Sequence, residues 1–470
     1  MSLPGSRRLA VRLLAALCLP VAVPAAAGVS GEVRPPRLAY ETFALPNGLR
    51  VILSPDHSAP IVHTQVWYHV GSKDERSGRT GFAHLFEHMM FKGSKNVEPD
   101  EHGSLVSSVG GQANAYTNED VTVFWNTVPA QYLPLVLWLE ADRMASLRID
   151  RTTFEREREV VKEERRMRVD NQPYGRLQEI ICEHAFTKHP YRHTTIGSMA
   201  DLAAASVEDV REFYRTYYVP SNATLVLVGD FDPAQARELA TRYMGRVPGS
   251  DRPIPRVPSV EPEQSTERRV TLEEGWPLAV VVVAHHVTYD GHPDSYPLHF
   301  AAKVLSDGNS SRIYRKLVYE TGIAVSAFGA ANIVEHPNLF FAVAMVQPGR
   351  APKEAEQALV GELDRLRKEP VSQKELERAK RQFARDYILG RESNQQKALQ
   401  LGHAFVIHKG DISSADGEFD VFMKISAGDL QRAAQKYFRP ENRLVLTILP
   451  KRSGSQPLFS HGALESSRCR

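Results

Sequence analysis

The chain has 470 residues, with 58 Lys and Arg against 56 Asp and Glu and a formal net charge of +2. That balance excludes a dedicated polyanion binder, so no nucleic-acid partner is expected. Apolar residues make up 42% and charged residues 24%, an ordinary globular mix in a chain too long for one hydrophobic core, and its 3 cysteines rule out both a disulfide scaffold and a Cys-rich zinc module.

Arg7, Arg8 and Arg12 precede an apolar run over residues 13–27 that holds Pro20 and Pro24 and ends Ala25-Ala26-Ala27. This is the pattern of a secretory signal peptide spanning residues 1–27, which implies a periplasmic or secreted protein. The run falls short of the roughly 20 residues of a spanning helix, so no stable membrane anchor is expected. It lacks the polar face of a mitochondrial transit peptide, and Leu17 before Cys18 argues against a lipoprotein anchor. Ser6-Arg7-Arg8 leaves twin-arginine export open beside the general route. Cys182 and Cys469 are expected to be unpaired.

Next, Asn47-Gly48 stands between two apolar runs, a hairpin signal. Residues 59–70 and 121–128 read as strands, and helical patterns occupy residues 81–91, 131–147, 154–169, 175–186 and 206–218. The mixture predicts an α+β fold, a mostly antiparallel sheet layered with helices. Five prolines between residues 248 and 262 mark a linker. The expected organisation is a first domain over residues 38–247, a linker over 248–265, a second domain over 266–450 and a tail over 451–470.

Self-similarity appears at one offset. Ser206, Asp209, Tyr217, Pro220 and Asn222 recur as Ser426, Asp429, Tyr437, Pro440 and Asn442, each 220 residues later, and Glu157-Arg158 recurs as Glu377-Arg378. Each longer segment reads as a helix, an aromatic pair, a Pro turn and an apolar strand. A period this long means two copies of one domain rather than a solenoid.

The pentapeptide His84-Leu85-Phe86-Glu87-His88 carries the chemistry. On a helix, residues four apart leave from one face, so both imidazoles can reach one zinc ion, and Glu87 stands close enough to meet a water there without ligating the metal. Leu85, Phe86 and Met89 would anchor the other face in a core. A catalytic zinc needs a third protein ligand, and the charged helical stretch over residues 154–168 supplies candidates. Glu157 and Glu164 lie seven apart on one face, whereas Glu163 points about 100° away.

The segment GRTGFAHLFEHMMFKGS resembles the metal-site segment of the pitrilysin and insulinase zinc peptidases, whose motif inverts the more familiar His-Glu-x-x-His. The resemblance covers nearly the whole chain beyond the signal segment and extends to small two-domain members similar to processing-peptidase beta subunits. It implies one Zn2+ per chain held by His84, His88 and Glu164, the last standing 76 residues after His88. It also implies a catalytic set of Glu87, as base, and Glu157, which supports the site. GGQANAYTNEDVTVF resembles the edge segment along which relatives add a substrate strand, with Asn114, Ala115 and Tyr116 at the contacting positions. Arg312 and Tyr319 match a pair that holds the substrate carbonyl. The second copy places Val304, Asp307, Gly308 and Ala384 at the offset of 220 from the metal-site residues, so it should lack that site. The other histidines tested by pattern, His57, His63, His69, His189, His193, His285 and His286, read as structural or surface groups.

The implied function is a zinc endopeptidase acting on peptides or unfolded chains inside a closed chamber. The chamber would form by homodimerisation or by pairing with a metal-free sister chain. Two alternatives share the fold: the catalytic subunit of a presequence-processing peptidase, and a non-enzymatic scaffold subunit.

Overall fold

The computed structural model describes residues 34–258 and 260–451. The expected signal segment, Cys18 and Cys469 lie outside the described residues. Cys182 is free.

Six strands build the first sheet: β1 (Glu41–Ala44), β2 (Arg50–Pro55), β3 (Ile61–Tyr68), β4 (Gln112–Thr117), β5 (Thr122–Pro129) and β6 (Ala223–Gly229), in the order β1-β2-β6-β3-β5-β4. Five build the second: β7 (Arg268–Glu274), β8 (Val280–His286), β9 (Ala324–Ala331), β10 (Leu339–Val346) and β11 (Arg443–Pro450), in the order β7-β11-β8-β10-β9. The second order repeats the first without β1. Only β2 with β6 and β7 with β11 run parallel; the remaining pairs are antiparallel. The duplication is therefore visible as topology.

The recurring residues are those that turn a helix into a central strand. Ser206 and Asp209 form a capping box at the start of helix Val207–Tyr217, and Ser426 and Asp429 do the same for helix Ala427–Tyr437. After each helix an asparagine side chain ties the turn down. Asn222 Nδ2 donates to Tyr217 O at 2.8 Å and Asn442 Nδ2 to Tyr437 O at 2.7 Å.

The first hairpin differs in detail from its sequence signal. Ala44 pairs with Arg50, so Leu45 to Leu49 form a longer loop than the two-residue turn that Asn-Gly favours. The reason is docking: Asn47 Nδ2 donates to the carbonyls of Met244 and Val247 at 2.8 and 2.9 Å, while Gly48 takes φ of 92°. The proline-rich connection has no helix or strand among its described residues, yet it is pinned. The Glu261 carboxylate accepts from the backbone N–H groups of Thr187, Lys188 and His189, each at 2.8 Å.

The inner face of each sheet packs on helices of its own half. The outer faces are covered by exchange. Helix Leu177–Ala185 of the first half lies on β8 and β11, burying Ile180, Ile181 and Ala185 against Val280, Val282 and Leu446. Helix Asn394–Ile407 of the second half lies on β3 and β6, burying Ala398, Leu401 and Ile407 against Trp67, Val226 and Val228. Covering on both faces explains why β6 and most of β8 are apolar and buried at successive residues. At Gly402 a Cβ would stand 2.3 Å from the Trp67 ring, so only glycine lets this helix approach the sheet so closely.

Burial also decides the state of two strand histidines. Inside β3 and β8, burial depresses the pKa values of His63 and His285 to about 3. In the unfolded chain the same side chains titrate near 6.5, so between about pH 6.5 and 3 the unfolded state binds more protons and stability falls with acidification. We expect His285→Leu to remove roughly 1.4 kcal/mol per pH unit from that acid slope. Urea unfolding of wild type and variant at pH 5 and pH 6 checks this; parallel slopes would refute it.

Candidate metal centre

Helix Phe82–Met89 is fixed at its start and along one face. Gly81 precedes it at φ of 89°, where a Cβ would meet Ile196 O at 2.7 Å. The buried Glu75 carboxyl oxygens accept from Gly81 N at 2.9 Å and Ala83 N at 2.8 Å, satisfying two N–H groups at the helix start. Burial pushes the Glu75 pKa well up, against the pull of these two bonds. Phe82, Leu85, Phe86 and Met89 are buried, with the Phe86 ring centroid 4.0 Å from that of Tyr218. The face that remains carries His84, Glu87 and His88 toward helix Arg151–Arg165 and β4.

On helix Arg151–Arg165, Glu164 meets the two histidines. Its Oε2 lies 3.3 Å from His88 Nε2 and 3.8 Å from His84 Nε2. One donor atom from each of the three residues falls within 4.8 Å of the other two. Two N or O ligands each about 2.0–2.1 Å from a tetrahedral zinc are separated by roughly 3.4 Å, so the cluster fits that ion with little adjustment. Arg168 Nη1 holds the other Glu164 oxygen at 2.6 Å, which aims Oε2 at the histidines. Glu163 is exposed and paired with Arg166 at 2.8 Å, away from the site.

The electrostatics favour a cation here. Burial opposes charge on His88, but the carboxylates of Glu157, Glu164 and Glu87 outweigh it and lift its pKa to about 9. Burial, with His88 alongside, depresses His84 to about 4. A single positive charge is thus retained among the carboxylates, at the position where a metal would replace the proton.

Glu157 is 2% exposed and stands behind His88, its Oε2 3.8 Å from His88 Nδ1 and its Oε1 3.3 Å from Lys92 Nζ. Burial works against its charge, yet His88 and Lys92 hold its pKa below the usual range. It is placed to position His88 rather than to touch a substrate. Glu87 accepts a 2.6 Å hydrogen bond from Thr117 Oγ1 at the end of β4. Burial raises its pKa, offset in part by that bond.

Asn114, Ala115 and Tyr116 lie on β4, the last strand of its sheet, so one side of its backbone is unpaired. Ala115 N–H donates to Asn114 Oδ1 at 2.9 Å. Strand alternation sends Thr117 toward Glu87 and Tyr116 to the opposite face, where its ring meets Trp67 edge-on at 6.4 Å. Tyr116 therefore offers main chain, not its ring, on the metal side.

Arg312 and Tyr319 belong to the second half. Arg312 is 7% exposed and its Nε and Nη2 donate to Glu375 at 2.7 and 3.0 Å, whereas Tyr319 is 82% exposed. The helix becomes a π-turn over Arg315–Glu320, which breaks the regular seven-residue alignment. Val304 is buried in helix Ser295–Ser306, Asp307 pairs with Lys303 at 3.0 Å, and neither Gly308 nor Ala384 has a side chain that could ligate a metal.

Sequence reading missed Glu75, Lys92, Thr117 and Arg168. Thr117 directly follows the Asn114-Ala115-Tyr116 stretch and Arg168 is four residues beyond Glu164, so proximity was a usable signal for those two. Lys92 gains its role from Glu157 on another helix, and Glu75 from a loop that turns back on the helix start. His189 accepts from Tyr191 N at 3.2 Å and shapes its loop, and His193 stands 3.6 Å from Glu75.

Comparison with known proteins gives two family matches: Insulinase (Peptidase family M16) over residues 50–198, and Peptidase M16 inactive domain over residues 204–383. The zinc protease PqqE of Helicobacter pylori is 30% identical over 414 residues, covering 87% of this chain and 93% of that protein. A crystal structure of a protease from Helicobacter pylori superposes with TM-score 0.84 at 30% identity, covering 88% of this chain and 100% of the other. A probable mitochondrial-processing peptidase subunit beta of Arabidopsis thaliana is 24% identical, covering 86% of this chain and 77% of the relative. The chain belongs to the insulinase family of peptidases, M16.

Proposed function

We propose that the protein is a zinc-dependent endopeptidase that cuts peptides or unfolded polypeptides bound in extended form. The observation that carries this reading is the convergence of His84, His88 and Glu164, with Glu87 beside them, next to the open edge of β4. His84, His88 and Glu164 would hold the ion, which when bound supplies the Lewis acidity that polarises a peptide carbonyl and acidifies water. Glu87 takes the proton from the attacking water at its carboxylate and returns it to the leaving amine. Thr117 keeps that carboxylate turned toward β4. Glu157 and Lys92 fix the ring of His88, and Arg168 fixes Glu164.

The substrate backbone would pair along β4 at Asn114, Ala115 and Tyr116. The Asn114 side chain, now bonded to Ala115 N–H, swings aside to free that donor. Arg312 Nη1 has no partner among the described residues but is buried, so the Arg312–Glu375 pair would have to turn to offer it to a substrate carbonyl, and exposed Tyr319 stands on the same segment. A second copy, or a metal-free sister chain, would close the chamber around the substrate. The apolar run over residues 13–27, read as part of a signal peptide, supports a periplasmic or secreted location. The plant relative favours a second reading, one subunit of a processing peptidase, which activity of the isolated chain separates from the first.

The test is cleavage of an internally quenched, unstructured peptide by the purified full chain. A chelator should abolish cleavage and zinc should restore it, and a tightly folded protein should stay intact. N-methylation of the backbone amides flanking the cut should slow it at least tenfold, about 1.4 kcal/mol. Cleavage that ignores the chelator would overturn the proposal.

A further inference from the structure

We propose that Asp290, His408 and Glu418, with His403 beside them, form a second zinc site, structural rather than catalytic, that staples the exchanged helix of the second half. One ligand atom from each of Asp290, His408 and Glu418 lies within 4.8 Å of the other two. Asp290 Oδ1 is 3.5 Å from His408 Nε2, and Asp290 Oδ2 is 3.3 Å from His403 Nε2. These separations match those of ligands sharing one tetrahedral ion, roughly 3.4 Å.

The ring of His408 is set for coordination. Its Nδ1 is engaged with Ser414 Oγ at 2.7 Å, the outer contact that orients a metal-binding imidazole. Its Nε2 is sealed from water and faces Asp290 Oδ1 at 3.5 Å without forming a well-aligned hydrogen bond. Asp290 and His408 are only 13% and 12% exposed and Glu418 is half-buried, so the two carboxylates share a site from which much of the water is excluded. A Cβ on Gly291 would stand 3.4 Å from His408 Nε2, and the glycine keeps that side clear. An imidazole nitrogen in the set suits zinc better than magnesium or calcium, which prefer all-oxygen shells.

The placement gives the ion a purpose. Asp290 follows β8, and its N–H donates to Val334 O at 2.8 Å, inside the second half. His403 and His408 lie on and just beyond helix Asn394–Ile407, the element that covers the first sheet, and Glu418 lies on helix Ser414–Lys424. An ion held by all three segments would lock the covering helix to the half it comes from. The site is independent of the proposed catalysis and not equivalent by the internal repeat to the His84 cluster.

The test uses the full chain carrying His84→Ala and His88→Ala, which empties the first cluster. It should still purify with one equivalent of zinc by mass spectrometry, and a chelator should lower its Tm by at least about 4 °C. Adding Glu418→Gln, which keeps side-chain volume, should remove both the zinc and the chelator response. If the doubly substituted chain holds no zinc and its Tm ignores both chelator and added zinc, the cluster is a proton-balanced network and the proposal fails. Retention of zinc with Glu418→Gln and with His408→Ala alike would also overturn it.

Discussion

Glu87→Gln should leave the chain folded, with the zinc content of wild type, and lower peptide hydrolysis by roughly 10²–10⁴-fold, the span that removal of a general base covers. Glutamine has the shape of glutamate, and its amide oxygen can still accept the Thr117 hydroxyl that now bonds Glu87 at 2.6 Å. What it lacks is basicity. Glu87 is not one of the three converging donors, so metal binding should survive. Its burial raises the carboxylate pKa and so strengthens it as a proton acceptor. The loss should appear in kcat with little change in KM, because substrate pairing along β4 does not use this side chain. Equal activity in both proteins, or loss of zinc with loss of activity, would contradict the assignment of Glu87 as the base.

Lys73→Met should destabilise the fold by about 3–5 kcal/mol, the cost of leaving buried charges without their counter-ion. Lys73 is 2% exposed and its Nζ stands 3.1 Å from Glu335, 3.4 Å from Asp120 and 3.4 Å from Asp74. It also donates to Asp120 O at 3.1 Å. Burial alone pushes Asp74 upward, while His69 and Lys73 overcome burial to hold Glu335 at about 2. Glu335 comes from the loop between β9 and β10, so the cluster ties the second half to Lys73, Asp120 and His69 of the first. Tyr191 completes it by donating to Asp120 Oδ1 at 2.6 Å. Reversible urea unfolding measures the loss. Lys316→Met, at a side chain 45% exposed, serves as control and should change stability by no more than about 0.5 kcal/mol.

The site was legible in sequence where it follows helical periodicity. His84, Glu87 and His88 share a face by spacing alone, and the seven-residue step from Glu157 to Glu164 placed both on the side that now faces them. Choosing Glu164 over Glu163 took the family resemblance; in the fold it follows from Glu163 pointing to solvent and pairing with Arg166. The two-copy plan was legible because Ser206, Asp209 and Asn222 perform local tasks, capping and turn closure, that any second copy must repeat. The helix exchange was not. The unbroken apolar run of β8 signals a strand covered on both faces, but nothing in a run of valines names the helix that covers it. Glu75 and Lys73 escaped because no local pattern marks a buried ionisable group, and Lys73 gains Asp120 and Glu335 only through the fold.

The most direct measurement is a zinc-edge anomalous difference map from crystals of the full chain. A peak is expected within bonding distance, about 2.0–2.2 Å, of His84 Nε2, His88 Nε2 and a Glu164 carboxylate oxygen, with Glu87 outside the coordination sphere. The absence of zinc at that point in zinc-replete crystals, or a Glu87 oxygen in the place of Glu164, would contradict the account.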